Sequence, residues 1–133
     1  MQRVCLVGAG NISHVHAEAI RNIPALKLHG VLDANRGVAE ALAARWSIPH
    51  VFGSIEEALA SGEVDRVHVL TPPGLHAQTA RPFLQAGIPV FLEKPLAVNS
   101  SECEALNLAA RNAKAALGVN QNFVFHPAFS RLR

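Results

Sequence analysis

The sequence contains little that would tie it to a disulfide scaffold or a metal centre. Its 133 residues include only two cysteines, Cys5 and Cys103, which lie far apart and lack the close spacing of metal-binding pairs. Of the seven histidines, the nearest pair is His14 and His16, and a spacing of two places them on different faces of a helix. We therefore predict a protein of a reducing compartment without a metal site.

Charge and hydropathy exclude two further classes of protein. The formal net charge is only +2, aromatic residues make up 5%, and no basic run with interleaved aromatics suggests a nucleic-acid surface. No apolar run approaches the ~18 residues of a membrane span. The first apolar run starts at about the third residue, which leaves no room for a signal peptide. We expect a soluble, cytoplasmic protein with no nucleic-acid and no membrane partner.

Apolar runs alternate with helical segments along the chain, a pattern typical of a parallel sheet covered on both faces. Half of the residues are hydrophobic, so one domain of this length can bury a core. The predicted strands are 4–7, 26–32, 67–70, 90–92 and 116–119. The predicted helices are 11–21, 36–46, 55–61, 75–86 and 100–113, with a kink or an early break at Pro82. Asn35 and Asn99 are predicted N-caps, and Ser54 with Glu57 is a predicted capping box. The fold class is α/β, a doubly wound parallel sheet of the Rossmann type with five or six strands.

The first strand runs directly into a glycine-rich turn, residues 8–13, of sequence Gly-Ala-Gly-Asn-Ile-Ser. Such a turn lets the backbone approach a pyrophosphate, which the free N–H groups of the following helix stabilise. Asp33 ends the second strand at the distance where an acidic side chain binds ribose hydroxyls. Ser13 stands where the strict pattern has Gly or Ala, but its side chain is small. The sequence predicts a dinucleotide pocket; the alternative is an ordinary turn with Asp33 as a helix N-cap.

Asp33 also bears on which dinucleotide is bound. A carboxylate accepts hydrogen bonds from a ribose 2′-hydroxyl and repels a 2′-phosphate, which favours NAD. Arg36 is close enough in the sequence to weaken that repulsion, so NADP stays open.

Polar residues follow the later strands too, at the edge where open parallel sheets bind their ligands. They lie at 71–76, at Glu93-Lys94-Pro95 and at 120–122. Lys94 directly follows an apolar strand, and Pro95 restricts the backbone beside it. A lysine amine can donate or accept a proton, or place a charge on a substrate oxygen. The Glu93-Lys94 pair is therefore a candidate for catalysis; the alternative is a surface turn.

Taken together, these motifs resemble the amino-terminal half of the glucose-fructose oxidoreductase, inositol dehydrogenase and MocA family. The resemblance covers essentially all 133 residues. It rests on the ordered set of the glycine turn, Asp33, Thr71-Pro72-Pro73 with His76, and above all Glu93-Lys94-Pro95. It implies a two-domain, nicotinamide-dependent oxidoreductase that acts on sugars, cyclitols and their derivatives.

The resemblance also implies roles for individual residues. Lys94 is the implied catalytic residue, which reaches the substrate, and the Lys94-Pro95 bond is often cis in such proteins. The implied cofactor contacts extend from the pyrophosphate and the adenosine ribose to the nicotinamide. They are Gly8, Gly10, Asn11, Ile12, Asp33, Thr71, Pro72, His76, Glu93 and Asn122. Of these, Asn122 is the weakest match.

One part of the family pattern is missing. A second domain in this family supplies the substrate floor, often the dimer face, and an Asp-x-x-x-His pair with a catalytic histidine. The two aspartates here are Asp33 and Asp65, and neither precedes a histidine by four residues. We expect residues 1–120 to form the dinucleotide-binding domain and residues 121–133 to begin the crossover into an absent domain, whether by truncation or because this is a piece of a longer enzyme. Alone, the chain should bind NAD, turn over poorly and self-associate into a homo-oligomer.

Three other functions stay open. A non-catalytic regulatory module that binds NAD would use Phe123, Phe125 and Phe129 as a partner surface. A relative that uses bound NAD in a redox-neutral glycoside cleavage would carry the same motifs. An S-adenosylmethionine methyltransferase also pairs a glycine-rich first turn with an acidic second-strand end, but has no obvious use for Glu93-Lys94-Pro95.

Overall fold

The computed structural model describes residues 1–131, apart from the side chains of Phe123, Phe129 and Ser130. The strands are β1 Gln2–Val7, β2 Leu26–Leu32, β3 His50–Val51, β4 Arg66–Val69, β5 Val90–Glu93 and β6 Leu117–Asn120. The helices are α1 Asn11–Arg21, α2 Arg36–Trp46, α3 Ile55–Ser61, α4 His76–Gln85, α5 Ser100–Ala113 and α6 Pro127–Ser130, with 3-10 turns at Pro73–Leu75 and Asn122–Phe125. Within the described residues, no helix is long and apolar enough to cross a membrane.

All six strands are parallel, in the order β3-β2-β1-β4-β5-β6. The order reverses between β1 and β4, which is the strand order of dinucleotide-binding domains. The predicted α/β fold with a doubly wound parallel sheet is therefore confirmed. The strand without a predicted counterpart is β3, whose two residues pair with Gly30 and Val31 and are too short to show a periodic pattern.

Side chains alternate along each strand, so the sheet has a separate core on each face. In β1, Val4 and Leu6 pack with residues of α1 and α2, whereas Cys5 and Val7 pack with residues of α3, α4 and α5. Each fully buried aliphatic side chain contributes about 2 kcal/mol of apolar burial. Two such cores on one sheet hold the carboxyl ends of the strands in a fixed arrangement.

The strands β4, β5 and β6 have an open apolar groove on the face that α1 and α2 cover elsewhere. The groove has a volume of about 360 Å³ and is lined by His68, Phe91 and Gly118 from these strands. Ile23 from the connection after α1 and Leu26 at the start of β2 also line it. The opposite sides of the same strands, such as Val69 of β4, lie in the core under α4 and α5. Apolar surface is thus open on one side of this half of the sheet.

Three helices begin where the sequence predicts N-cap residues. Asn35, Ser54 and Asn99 each accept a hydrogen bond from the backbone N–H three residues later. At Ser54 the predicted capping box takes a different form, because Glu57 accepts from the N–H of Gly53 and not from that of Ser54 itself. The cap therefore also holds the loop that leads out of β3.

Helix α4 does not end early at Pro82, where the sequence predicts a kink or a break. It continues to Gln85 because Pro82 lies in its last turn and removes a single backbone hydrogen bond. The carbonyl of Pro82 still accepts from Ala86 at 3.1 Å. Gly87 follows with φ +78°, a left-handed conformation that stops the helix and favours glycine.

Candidate functional site

A cleft of about 600 Å³ lies at the carboxyl ends of β1, β2 and β4, where the strand order reverses. Its walls come from the turn after β1, the end of β2 and the loop after β4. The predicted site residues that line it are Gly8, Gly10, Asn11, Ile12, Asp33, Thr71 and Pro72. Three separate stretches of the sequence therefore meet at this cleft.

The two glycines of the turn are needed for different reasons. Gly8 has φ +104°, and a Cβ there would lie 2.8 Å from the carbonyl carbon of Leu70 and 2.9 Å from its oxygen. Gly8 thus allows the turn to pass close to the end of β4. Gly10 is the N-cap of α1 with φ −76°, and a Cβ there would meet nothing within 4 Å. The open space beside Gly10 is a cradle that suits a pyrophosphate group.

Helix α1 presents its amino terminus to the cleft. Asn11 and Ile12 form its first turn, whose backbone N–H groups have no partner within the helix. The first turn holds no acidic side chain, so the positive end of the helix dipole is not neutralised there. Ser13 is fully buried and its hydroxyl donates to the carbonyl of Gly10. Its small side chain fits the close packing, as predicted.

Asp33 is anchored to both sides of the cleft. Its Oδ2 accepts from the N–H of Ala9 at 2.8 Å, and its Oδ1 accepts from the N–H of Asn35 at 2.8 Å. Each carboxylate oxygen has a second acceptor position, so a ribose hydroxyl can still donate to it. The N-cap of α2 is Asn35, which contradicts the alternative in which Asp33 is the cap.

Thr71 carries a polar atom without a partner in the wall of the cleft. Its Oγ1 is buried, and within the described residues it has no hydrogen-bond partner. An unpaired buried hydroxyl is unfavourable, and a polar ligand group that reached it would remove that penalty. Together with the Gly10 cradle, this hydroxyl fits a polar, anionic ligand in the cleft.

Glu93 lies at the end of β5 in a series of side-chain hydrogen bonds that joins α1, β4, β5 and β6. Its Oε1 is 2.7 Å from Nε2 of His16 and 2.7 Å from Nδ2 of Asn120, and both nitrogens donate to it. The second ring nitrogen of His16, Nδ1, is 2.9 Å from Nδ1 of His68. One of these two Nδ1 atoms therefore carries the proton and donates to the other.

His76 lies behind the cleft and not on its wall. The side chain is fully buried, with Nδ1 at 2.7 Å from the carbonyl oxygen of Pro95 and Nε2 at 2.8 Å from that of Thr71. The ring therefore joins the loop after β4 to the loop after β5. The direct cofactor contact that the resemblance implies for His76 stays a prediction, and the geometry favours a positioning role.

Lys94 and Asn122 follow β5 and β6, farther along the same edge of the sheet. Lys94 is exposed and its bond to Pro95 is cis. Asn122 is exposed and begins the 3-10 turn Asn122–Phe125. Among the described residues that line the cleft, neither side chain is found, nor is that of Glu93. These residues lie on the part of the edge away from Asp33.

A family model for oxidoreductases with an NAD-binding Rossmann fold matches residues 2–121 of the chain. The chain belongs to this family. The inositol 2-dehydrogenase of Rhizobium meliloti is 33% identical over 131 residues, which cover 98% of this chain and 39% of that protein. The resemblance drawn from the glycine turn, Asp33 and Glu93-Lys94-Pro95 is confirmed.

Solved structures agree with this assignment. GenD2 from gentamicin A biosynthesis, in complex with NAD, is 35% identical with a TM-score of 0.90, covering 98% of this chain and 37% of that one. A 3-ketoreductase from Actinomadura kijaniata, in complex with NADP and TDP-benzene, is 26% identical with a TM-score of 0.89, covering 98% and 40%. The chain thus spans about two fifths of the length of these relatives.

Two groups in this hydrogen-bonded series of the NAD-binding domain, His68 and Glu93, have pKa values that differ from their ordinary ones. Burial lowers the pKa of His68 to about 3, and the nearby charges of His16 and Arg66 act in the same direction. Burial works to raise the pKa of Glu93, but the hydrogen bonds from Asn120 and His16 outweigh it and hold that pKa below its ordinary value. At neutral pH the domain therefore keeps a carboxylate at Glu93 and a neutral His68.

The sequence did not reveal all residues that build this edge. In the sequence, the neighbour that gives His16 a possible role is His14, two positions away. The bonds of His16 to Glu93 and His68 join residues that are 77 and 52 positions apart. A histidine within the apolar strand β4 was the available signal. It becomes informative only when β4 and β5 are known to be neighbours.

Proposed function

We propose that the cleft binds the pyrophosphate and adenosine of NAD. The observation that carries this proposal is the open space beside Gly10 at the start of α1, with the Asp33 carboxylate bonded to the same turn through Ala9. Asn11 and Ile12 would donate backbone N–H groups to the pyrophosphate, and Asp33 would accept from the ribose hydroxyls.

NAD, and not NADP, is the cofactor that this arrangement supports best. The backbone bonds of Asp33 hold its negative charge at the end of β2, where it would repel a 2′-phosphate. Arg36, the cation that could offset this repulsion, donates from Nε to Glu40 at 3.0 Å on the exposed face of α2. Its charge is thus partly compensated within the helix.

Asp33→Asn will weaken NAD binding at least about tenfold, because one charge-assisted acceptor is lost. It will also reduce the difference in binding affinity between NAD and NADP. Titration calorimetry of both cofactors on the wild type and the variant measures these effects. The matched control is Asp65→Asn, which removes the other aspartate, paired with Arg3 outside the cleft. Tighter binding of NADP by the wild type would overturn the NAD assignment, and unchanged NAD affinity in Asp33→Asn would overturn the ribose contact.

We further propose that the domain serves a dehydrogenase that acts on a sugar, cyclitol or related polyol, as its relatives' names suggest. Nicotinamide, when bound, accepts hydride from the substrate carbon or returns it. Lys94 would hold the substrate hydroxyl and take its proton. The carboxylate of Glu93, held by His16 and Asn120, would stabilise the positive charge that Lys94 then carries.

Lys94→Ala will slow the oxidation of polyols about a hundredfold or more, the usual effect of losing a general acid or base. The assay is NADH formation over a panel of sugars and polyols, carried out on the product of the full reading frame. Lys27→Ala, an exposed lysine of β2, is the matched control. Equal loss in both variants would refute the role of Lys94. Absence of NADH formation with every substrate would favour the redox-neutral or the regulatory alternative, while NAD titration tests the cleft separately.

Phe125 and the two cysteines bear on association and on the cellular compartment. Phe125 is 83% exposed, which supports the idea of an apolar partner surface, whereas the side chains of Phe123 and Phe129 lie outside the described residues. Both cysteines are free, and burial raises the pKa of Cys5 to about 12, so its thiol stays protonated. That the chain forms a homo-oligomer stays a prediction, and so does its location in the cytoplasm.

A further inference from the structure

Three side chains with metal-ligand chemistry meet outside the cofactor cleft. They are His29 of β2, His50 of β3 and Glu63 of the loop between α3 and β4. Their candidate ligand atoms all lie within 4.8 Å of one another, and the two imidazole rings have centroids 4.6 Å apart. The three residues are widely spaced in the sequence and match no metal-binding motif.

The distances within this cluster suit coordination better than hydrogen bonding. Nε2 of His29 and Nε2 of His50 each lie 3.4 Å from the same oxygen of Glu63, Oε2. A good N–H···O bond is shorter, at about 2.7–3.2 Å. Ligands bound at about 2.0–2.2 Å in a tetrahedral site lie about 3.3–3.5 Å apart, which follows from the bond lengths and the tetrahedral angle. Each nitrogen is thus spaced from the shared oxygen as two ligands of one cation are, and the candidate ligand atoms of all three residues lie within 4.8 Å of one another.

His29 is poorly satisfied by protein groups alone. Its residue is 9% exposed, and its Nδ1 is buried with no hydrogen-bond partner among the described residues. Among the described residues, the one hydrogen-bond contact of the His29 ring is the long one from Nε2 to Glu63. A cation bound to Nε2 would replace this long contact with a short coordinate bond, and the ring proton would then lie on Nδ1. His50 and Glu63 are each 42% exposed, so an ion can reach the cluster from solvent.

The neighbouring carboxylate is not available as a fourth ligand. Asp65 accepts hydrogen bonds from Arg3 at both oxygens, at 2.9 Å to Oδ2 and 3.0 Å to Oδ1. The protein thus supplies two imidazole nitrogens and one carboxylate oxygen and leaves a position for water. This donor set suits Zn²⁺ and related transition metals, whereas Ca²⁺ and Mg²⁺ prefer all-oxygen sites.

We propose that His29, His50 and Glu63 form a binding site for a divalent transition metal of the zinc type. The ion would tie β3, a two-residue edge strand, to β2 and to the α3–β4 loop. Because the chain after β3 supplies Gly53 and Ile55 to the wall of the cofactor cleft, the ion would also brace that wall. Its role is structural, and it does not depend on the proposed dehydrogenase activity.

Metal-stripped protein, titrated with Zn²⁺ against a chromophoric chelator, will bind one equivalent. At about 100 times the dissociation constant, Zn²⁺ will raise the Tm by roughly 5–10 °C. His50→Ala and Glu63→Gln will each weaken Zn²⁺ binding at least about tenfold. Both side chains are partly exposed, so these variants keep the fold, whereas the buried His29 is left unchanged. Co²⁺ will give the intense visible absorption of a four-coordinate site.

The matched control is His14→Ala, which removes a histidine that lies outside the cluster and contacts Trp46. It will bind Zn²⁺ as the wild type does. Unchanged affinity in His50→Ala and Glu63→Gln, or an equal loss in His14→Ala, would mean adventitious binding and would overturn the site. Absence of stoichiometric Zn²⁺ binding, or the weak absorption of an octahedral Co²⁺ ion, would overturn it as well.

Discussion

Gly8→Ala will lower the free energy of unfolding by about 3 kcal/mol and weaken NAD binding, whereas Gly10→Ala will weaken NAD binding alone. At Gly8 two effects act together. The backbone has φ +104°, which alanine rarely adopts, and the new Cβ would lie 2.8 Å from the Leu70 carbonyl carbon. The turn cannot move away freely, because Gly8 donates to the carbonyl of Leu32 at 2.9 Å and Leu70 donates to that of Val7 at 2.7 Å.

Gly10 separates the ligand effect from the folding effect. Its φ of −76° suits any residue and its Cβ would enter open space, so the stability of Gly10→Ala will stay within about 1 kcal/mol of the wild type. That space is where the pyrophosphate would lie. The added methyl group will weaken NAD binding about ten- to a hundredfold, which corresponds to a steric penalty of about 1–3 kcal/mol.

Urea unfolding and NAD titration of the same samples distinguish the two outcomes. Gly74→Ala is the matched control, because its Cβ also meets nothing within 4 Å but it lies outside the glycine turn. We expect it to match the wild type in both measurements. Wild-type stability in Gly8→Ala would contradict the close approach to β4, and wild-type NAD affinity in Gly10→Ala would contradict the pyrophosphate site.

Lowering the pH from about 6.5 towards 3 will destabilise the domain, chiefly through His68. Its pKa in the folded domain is about 3, against an ordinary value of 6.5. Between these values the unfolded chain binds a proton that the folded domain excludes, so stability falls by up to about 1.4 kcal/mol per pH unit. The loss by pH 4 will be about 3 kcal/mol. The physical cause is burial of the ring beside His16 and Arg66.

The carboxylates act in a lower pH range. The hydrogen bonds from Arg3 lower the pKa of Asp65 to about 2 from its usual 3.8, and the pKa of Glu93 lies below its usual 4.5. Their contributions are present above these usual values and are lost as the pH falls through the lowered ones. Acid unfolding between about pH 6.5 and 4.5 therefore reports on His68 and not on these acids.

His68→Gln tests this assignment, because the amide removes the titrating ring and keeps an N–H donor towards His16. Urea midpoints measured from pH 7 to 3.5 will show a flattened slope above about pH 4.5 in the variant. Below that pH the variant will decline through the carboxylates alone, and less steeply than the wild type. A variant that loses stability between pH 6.5 and 4.5 as steeply as the wild type would contradict the role of His68.

Much of the cofactor cleft could be predicted because its signals are local. Gly8 and Gly10 follow a strand and precede a helix, and Asp33 ends the next strand, so the parallel arrangement brings them to one edge. Three helix starts could be predicted from N-cap residues, which accept short-range hydrogen bonds from the backbone: Asn35, Ser54 and Asn99. Each of these features depends on residues within a few positions of one another.

The rest of the edge could not be predicted in the same way. His76 has polar neighbours on two loops, but the sequence does not tell whether its ring points to the cleft or behind it. The bonds of Glu93 to His16 and Asn120 require α1, β5 and β6 to be placed against each other. Strand β3 is too short for a periodic signal, and its pairing with β2 depends on the finished sheet.

The sequence by itself determined the alternation of strands and helices, the glycine turn with Asp33, and membership of the oxidoreductase family, since these depend on local patterns of size, polarity and backbone freedom. Only the tertiary structure decided which side chains are hydrogen-bonded to one another and which could bind one metal ion together. The histidines show this most clearly: His16 joins Glu93, while His29 joins His50 and Glu63. Such clusters depend on strand order and register, which bring distant residues within hydrogen-bonding or ligand distance.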